Sequence, residues 1–125
     1  MKTKLEIIEE TASYYNNLNR SVSPGETRCY YTHPEDNTKH CALGRCMTED
    51  ALNMVMANNN TKALQSLEEK YNDIDSLLRE EYRGHSCEFW KDIQEFHDDS
   101  ANWNDEGLTE KGLNKKQELL FKYAS

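Results

Sequence analysis

Four cysteines and four histidines carry most of the chemistry that this 125-residue chain can offer. Three thiols and two imidazoles fall within 18 residues, in the order Cys29, His33, His40, Cys41 and Cys46. That is enough donors for one tetrahedral zinc, with Cys29, Cys41, Cys46 and His40 as its ligands. The spacing lacks the tight Cys-x2-4-Cys knuckle of most structural zinc sites. In the competing reading Cys29 and Cys41 face each other across two strands and pack as small buried hydrophobes. Disulfides are not expected, because the sequence carries no export signal and its thiols should stay reduced.

A second arrangement is His97 followed by Asp98, the pair that would orient an imidazole to activate a cysteine nucleophile. No local feature marks Cys29, Cys41 or Cys46 as that nucleophile, and no second motif supplies an oxyanion hole. A metal-dependent hydrolase built on His97 and Asp98 would need further ligands from helices, whereas His33, His40 and His85 fall in loops or the hairpin. The plain alternative for His97 is a satisfied core or helix-end histidine.

The third candidate is electrostatic. Residues 68–110 hold 14 acids and 4 bases, and the rest of the chain 9 acids and 11 bases. Within the acidic stretch, Glu88, Asp92, Glu95 and Asp99 recur at spacings of four, three and four, which line them along one helix face. Such a stripe is either a solvated face or a surface aimed at a basic partner.

Hydrophobic spacing indicates the elements that must position these groups. Leu5, Ile8, Ala12 and Tyr15 predict a helix from about Thr3 to Leu18, ended by the Asn16, Asn17, Asn19 cluster. Two short runs rich in strand formers predict a β-hairpin over residues 28–43, closed at Gly44. Thr48 is placed to cap a helix through Leu52, Val55 and Met56. A further helical pattern runs from Asn60 or Thr61 through Leu64, Leu67 and Tyr71, and continues, unbroken or interrupted at Asn72-Asp73, through Ile74, Leu77, Leu78 and Tyr82 to Gly84. Ser86 should cap the most amphipathic segment, whose inner face is Phe89, Trp90, Ile93, Phe96 and His97. Residues 98–107 read as a loop anchored by Trp103. Thr109 should cap a last helix with Leu113, Leu120 and Tyr123 inward, Lys115, Lys116 and Lys122 toward water, and Gly112 weakening its first turn. The expected product is one mainly helical α+β domain over residues 1–125, with about five helices packed on the hairpin.

Composition narrows the function classes. The net charge of −8 argues against binding nucleic acid through a general basic surface. No apolar run approaches the ~20 residues of a membrane-spanning helix. Acids stand where a signal peptide would carry its apolar region, so an intracellular, cytoplasmic protein is expected.

The runs Arg28-Cys29-Tyr30-Tyr31, Lys39-His40-Cys41-Ala42-Leu43-Gly44 and Phe89 to Asp98, followed by Trp103 and the closing Leu119 to Ala124, resemble small proteins of tailed phages and bacterial genomes. Those proteins carry C-x-Y, C-A-x-G and H-D elements in the same order. Here Thr38 stands where they have glycine, and Cys46-Met47 follows Gly44 in place of a longer apolar run. The resemblance implies a phage or prophage setting, the host cytoplasm as location, and no particular activity. It also groups Cys29, Tyr30, Cys41, Gly44, His97 and Asp98 as one local structure. The leading expectation is an acidic, non-enzymatic protein that binds and modulates or inhibits a host protein, such as a nucleic-acid-binding or defence protein, through Glu88, Asp92, Glu95 and Asp99. The alternatives are a zinc-stabilised module on the hairpin cysteines, and a small-ligand binder or Cys/His-dependent enzyme.

Overall fold

The computed structural model describes residues 1–20, 39–59 and 74–124. Helix α1, Lys4–Tyr14, opens with a reciprocal cap in which Thr3 Oγ1 accepts from the Glu6 amide and Glu6 accepts from the Thr3 amide. It stops before the expected Leu18. Asn16 Oδ1 accepts from the amides of Leu18 at 2.8 Å and Asn19 at 3.0 Å, so local side-chain bonds replace the helical ladder. Ile7 and Ile8 are fully buried, whereas Leu5 is on the exposed side.

Cys41 to Leu43 turn directly into a 3-10 helix at Gly44–Cys46, and every residue from Cys41 to Met47 except Arg45 is buried. Of the hairpin expected over residues 28–43, the first strand falls outside the described residues; in the second, His40 is a bridge residue and Cys41 to Leu43 form a buried turn. The Arg45 amide bonds Cys41 O at 2.9 Å and the Cys46 amide bonds Leu43 O at 3.0 Å, which curls the chain where an extended strand was expected. Helix α2, Glu49–Asn59, follows its Thr48 cap.

Residues 74–82 form two 3-10 helices, Ile74–Leu77 and Glu80–Tyr82, where a continuing α-helix was expected. Non-local pairing explains the change. Met47 and Leu78 form an antiparallel bridge, the Thr48 amide bonds Leu77 O at 3.0 Å, and the Arg79 amide bonds Cys46 O at 2.9 Å. Backbone groups committed to another segment cannot also serve an i to i−4 ladder.

Helix α3, Cys87–Asp98, begins at the Ser86 cap and buries Phe89, Trp90, Ile93, Phe96 and His97, as its spacing predicts. The stretch read as a loop contains a 3-10 turn at Ser100–Asn102 and a small antiparallel hairpin, β1 at Trp103–Asn104 and β2 at Gly107–Leu108. Asn104 Oδ1 accepts from the amides of Glu106 and Gly107, and Gly107 takes the positive φ that the tight turn requires. Trp103 is buried, its ring centroid 5.2 Å from that of Phe96. Helix α4, Glu110–Lys122, starts at Thr109 and packs with α1 and α3.

The architecture is therefore a mainly helical α+β arrangement. Four α-helices stand among the described residues, where about five were expected; residues 60–73, read as part of a further helix, lie outside them.

Candidate functional site

The last turn of α3 gathers the first candidate site. His97 is fully buried, and its Nδ1 lies 2.9 Å from Asp98 Oδ1. The same Asp98 oxygen accepts from Gln94 Nε2 at 3.3 Å, and Gln94 Oε1 accepts from the Leu43 amide at 3.1 Å. Gln94 thereby ties the Cys41 turn to α3. Tyr15 closes the group: its ring meets the His97 imidazole edge-on at 4.6 Å, and its hydroxyl donates to His40 O at 2.7 Å. Cys41, His97 and Asp98 thus share one neighbourhood, and Gly44 sits in the adjoining 3-10 turn. Cys29 and Tyr30, grouped with them by sequence, lie outside the described residues.

Side chains from distant segments complete the helix end. Arg20 donates to His97 O at 2.9 Å and to Asp98 O at 3.1 Å, while Asn102 and Trp103 donate to Phe96 O. A buried guanidinium on the last carbonyls satisfies both their acceptors and the negative end of the helix dipole.

The protonation states run opposite to those of a cysteine nucleophile. Burial pushes the Cys41 thiol up to about 12, against the donated Gly44 amide, and burial likewise raises Cys46 to about 12. Burial also pulls the His97 imidazole below its ordinary value, despite Asp98. The pair is a neutral thiol and a neutral imidazole, whereas a nucleophilic cysteine needs the thiolate. Each thiol is bonded within its own turn: Cys41 Sγ accepts from the Gly44 amide at 3.3 Å, and Cys46 Sγ donates to Ala42 O at 3.4 Å. Among the described residues no three His, Cys, Asp or Glu side chains converge as a metal-binding group, Cys41, Cys46 and His40 included.

The acidic stripe meets an answering row of lysines. Lys122 Nζ lies 2.7 Å from Asp92 and 3.3 Å from Glu88, and the Tyr123 hydroxyl donates to Asp92 at 2.5 Å. Burial opposes ionisation of Asp92, yet these two donors outweigh it and lower its pKa. Lys111 lies 3.4 Å from Asp99, and Glu95 lines a shallow cleft of about 360 Å3 with Asp99, Lys111, Lys115 and Glu118. Glu88, Glu95 and Asp99 remain exposed while Asp92 is half-buried in the α3–α4 seam. Lys122 was expected to face water alone. Its spacing with Lys111 and Lys115 repeats that of the acids and was a legible sign of their pairing.

One cluster has no counterpart in the sequence reading. Glu10 joins Lys2 at 2.8 Å, Arg45 at 2.7 Å and the Tyr82 hydroxyl, bringing together the residues before α1, α1 itself and the 3-10 helices Gly44–Cys46 and Glu80–Tyr82. Burial works against the Glu10 charge, but these three donors together hold the carboxyl at about 2. Arg45 and Tyr82 lie 35 and 72 residues from Glu10, so no local spacing announces the cluster.

No protein-family model, no curated protein and no solved structure matches the chain.

Proposed function

We propose that the chain is a small acidic protein of phage or prophage origin that binds a basic surface of a host protein in the cytoplasm and modulates or inhibits it. A nucleic-acid-binding or defence protein is the kind of target meant, because a surface built to hold polyanions also attracts an array of carboxylates. The observation that carries this reading is the run of exposed carboxylates along one continuous unit: Glu88, Glu95 and Asp99 on α3 and its cap, Asp105 and Glu106 at the hairpin tip, and Glu110 opening α4. Their backbones are fixed by the Ser86, Asp99 and Thr109 caps and the Asn104 turn. Carboxylates held on rigid elements lose little freedom on binding.

The test compares the immobilised full chain with a variant carrying Glu88→Lys, Glu95→Lys and Asp99→Lys in capture from a host extract, eluted along a salt gradient. The expected outcome is a retained host protein that elutes as screening shortens from ~10 Å to ~3 Å, and that the variant does not retain. Equal retention by the variant would remove the acidic face from the function.

A further inference from the structure

Arg45 is the least satisfied charged group among the described residues. Its side chain is 12% exposed, and only one of its terminal nitrogens is used: Nη1 pairs with Glu10 at 2.7 Å and donates to the Tyr82 oxygen at 3.5 Å. Nε and Nη2 are buried and have no partner among the described residues. The unused atoms form one edge of the guanidinium, the edge whose two parallel N–H bonds match the two oxygens of a carboxylate or phosphate. Native proteins pair such donors, because a buried charged donor left unmade is costly.

The surroundings suit an anion. Arg45 lies 4.9 Å from the Tyr14 ring centroid and 5.8 Å from that of Tyr82, so aromatic faces border the guanidinium without competing for its edge. Arg79 donates to the Arg45 carbonyl at 2.6 Å and lies 5.3 Å from the Tyr82 ring, and Lys2 stands on the far side of Glu10. Lys2, Arg45 and Arg79 pair with Glu10 and Glu81, three cations to two carboxylates in a chain of net charge −8. Glu10 is already occupied by Lys2, Arg45 and Tyr82, so it does not close the free edge. The edge is closed to solvent, and a ligand reaches it by displacing the bordering side chains, of which Tyr14 and Arg79 are each 46% exposed.

We propose that Arg45 is an oxyanion-binding site, holding a ligand's carboxylate or phosphate group on its Nε/Nη2 edge with Arg79 and Lys2 supplying the surrounding positive potential. The site is separate from the acidic face and does not rest on the function proposed for it.

The test follows the arginine Nε–H resonances of the full chain during titration with sodium phosphate, and separately with sodium acetate, each against sodium chloride at matched ionic strength. Arg45→Lys keeps a charge for Glu10 while removing the edge, and its spectrum assigns the Arg45 signal. The expected result is a saturable shift of that signal with one or both oxyanions and none with chloride. Saturation by phosphate alone assigns a phosphate ligand and by acetate alone a carboxylate. Arg45→Lys should weaken oxyanion binding roughly tenfold or more, as loss of a charge-assisted hydrogen bond implies. No saturable shift, or the same shift with chloride, would overturn the site. Should Arg45→Lys fail to fold, Arg79→Gln identifies the signal by its changed shift, and the wild-type titration alone decides.

Discussion

His97 carries the clearest consequence of single-residue burial. Its pKa is lowered on folding, so between the folded value and the unfolded ~6.5 the unfolded chain binds more protons. The His97 contribution to stability is therefore intact above ~6.5 and is lost as pH falls below it. Urea midpoints should drop between pH 7.5 and pH 5.5, and His97→Gln should flatten that slope. An unchanged slope would mean that His97 is not the titrating group. His85, which is also depressed by burial, adds an effect of the same sign. Glu10 acts in a lower window. With its carboxyl held at about 2, its stabilisation is present above the unfolded value of 4.5 and disappears as pH falls from there toward 2. Glu10→Gln should cost about 1–2 kcal/mol at pH 7, part of the full linkage being lost to solvent screening, and should lose its effect near pH 2. Cys41 and Cys46, held as thiols near 12, should resist alkylation of the native protein at pH 8 and react only on unfolding, which peptide mapping resolves.

Among the elements, α3 was legible from its own residues. A serine cap and an apolar stripe from Phe89 to His97 require no knowledge of the rest of the fold. The caps at Thr48 and Thr109 and the anchoring of Trp103 were legible for the same reason. What was hidden depends on partners distant in sequence. Residues 74–82 carry a helical pattern, but the bridge from Met47 to Leu78 decides their conformation. Leu113 was expected inward and is 48% exposed, because Gly112 instead presses against the Asn102 backbone. Gly112 looked like a weakness in α4. A Cβ there would lie 2.1 Å from the Asn102 carbonyl oxygen, so the glycine is what allows α4 to approach the 3-10 turn. Gly112→Ala should therefore destabilise the protein by about 1–3 kcal/mol in chemical denaturation, overriding the ~1 kcal/mol gain in helix propensity. A stabilised variant would mean that the turn yields. In the candidate sites, the link between Cys41 and His97 rests on Gln94, which stands in the Gln-x-x-His-Asp run of the resemblance but carries no chemistry of its own.

For the whole molecule, charge is the dominant variable. A net −8 repels itself, while the α3–α4 seam holds opposite charges 2.7 to 3.4 Å apart. Added salt screens both, but exposed ion pairs contribute little and the uncompensated acids act over a longer range. The melting temperature should accordingly rise from low to physiological ionic strength, read by circular dichroism. A fall would show that the seam outweighs the repulsion. No helix among the described residues is long and apolar enough to cross a membrane.

The completion of α3 by Arg20 also bears on how the chain is made. Arg20 is separated by 77 residues from His97, and Asn17 by 86 from Trp103, whose carbonyl it bonds. At translation rates of ~5–20 residues per second, α1 and its following turn wait ~4–15 s before their partners leave the ribosome. Throughout that interval α1 lacks the two later helices it packs against, which makes this early segment a natural client for chaperones that hold nascent chains.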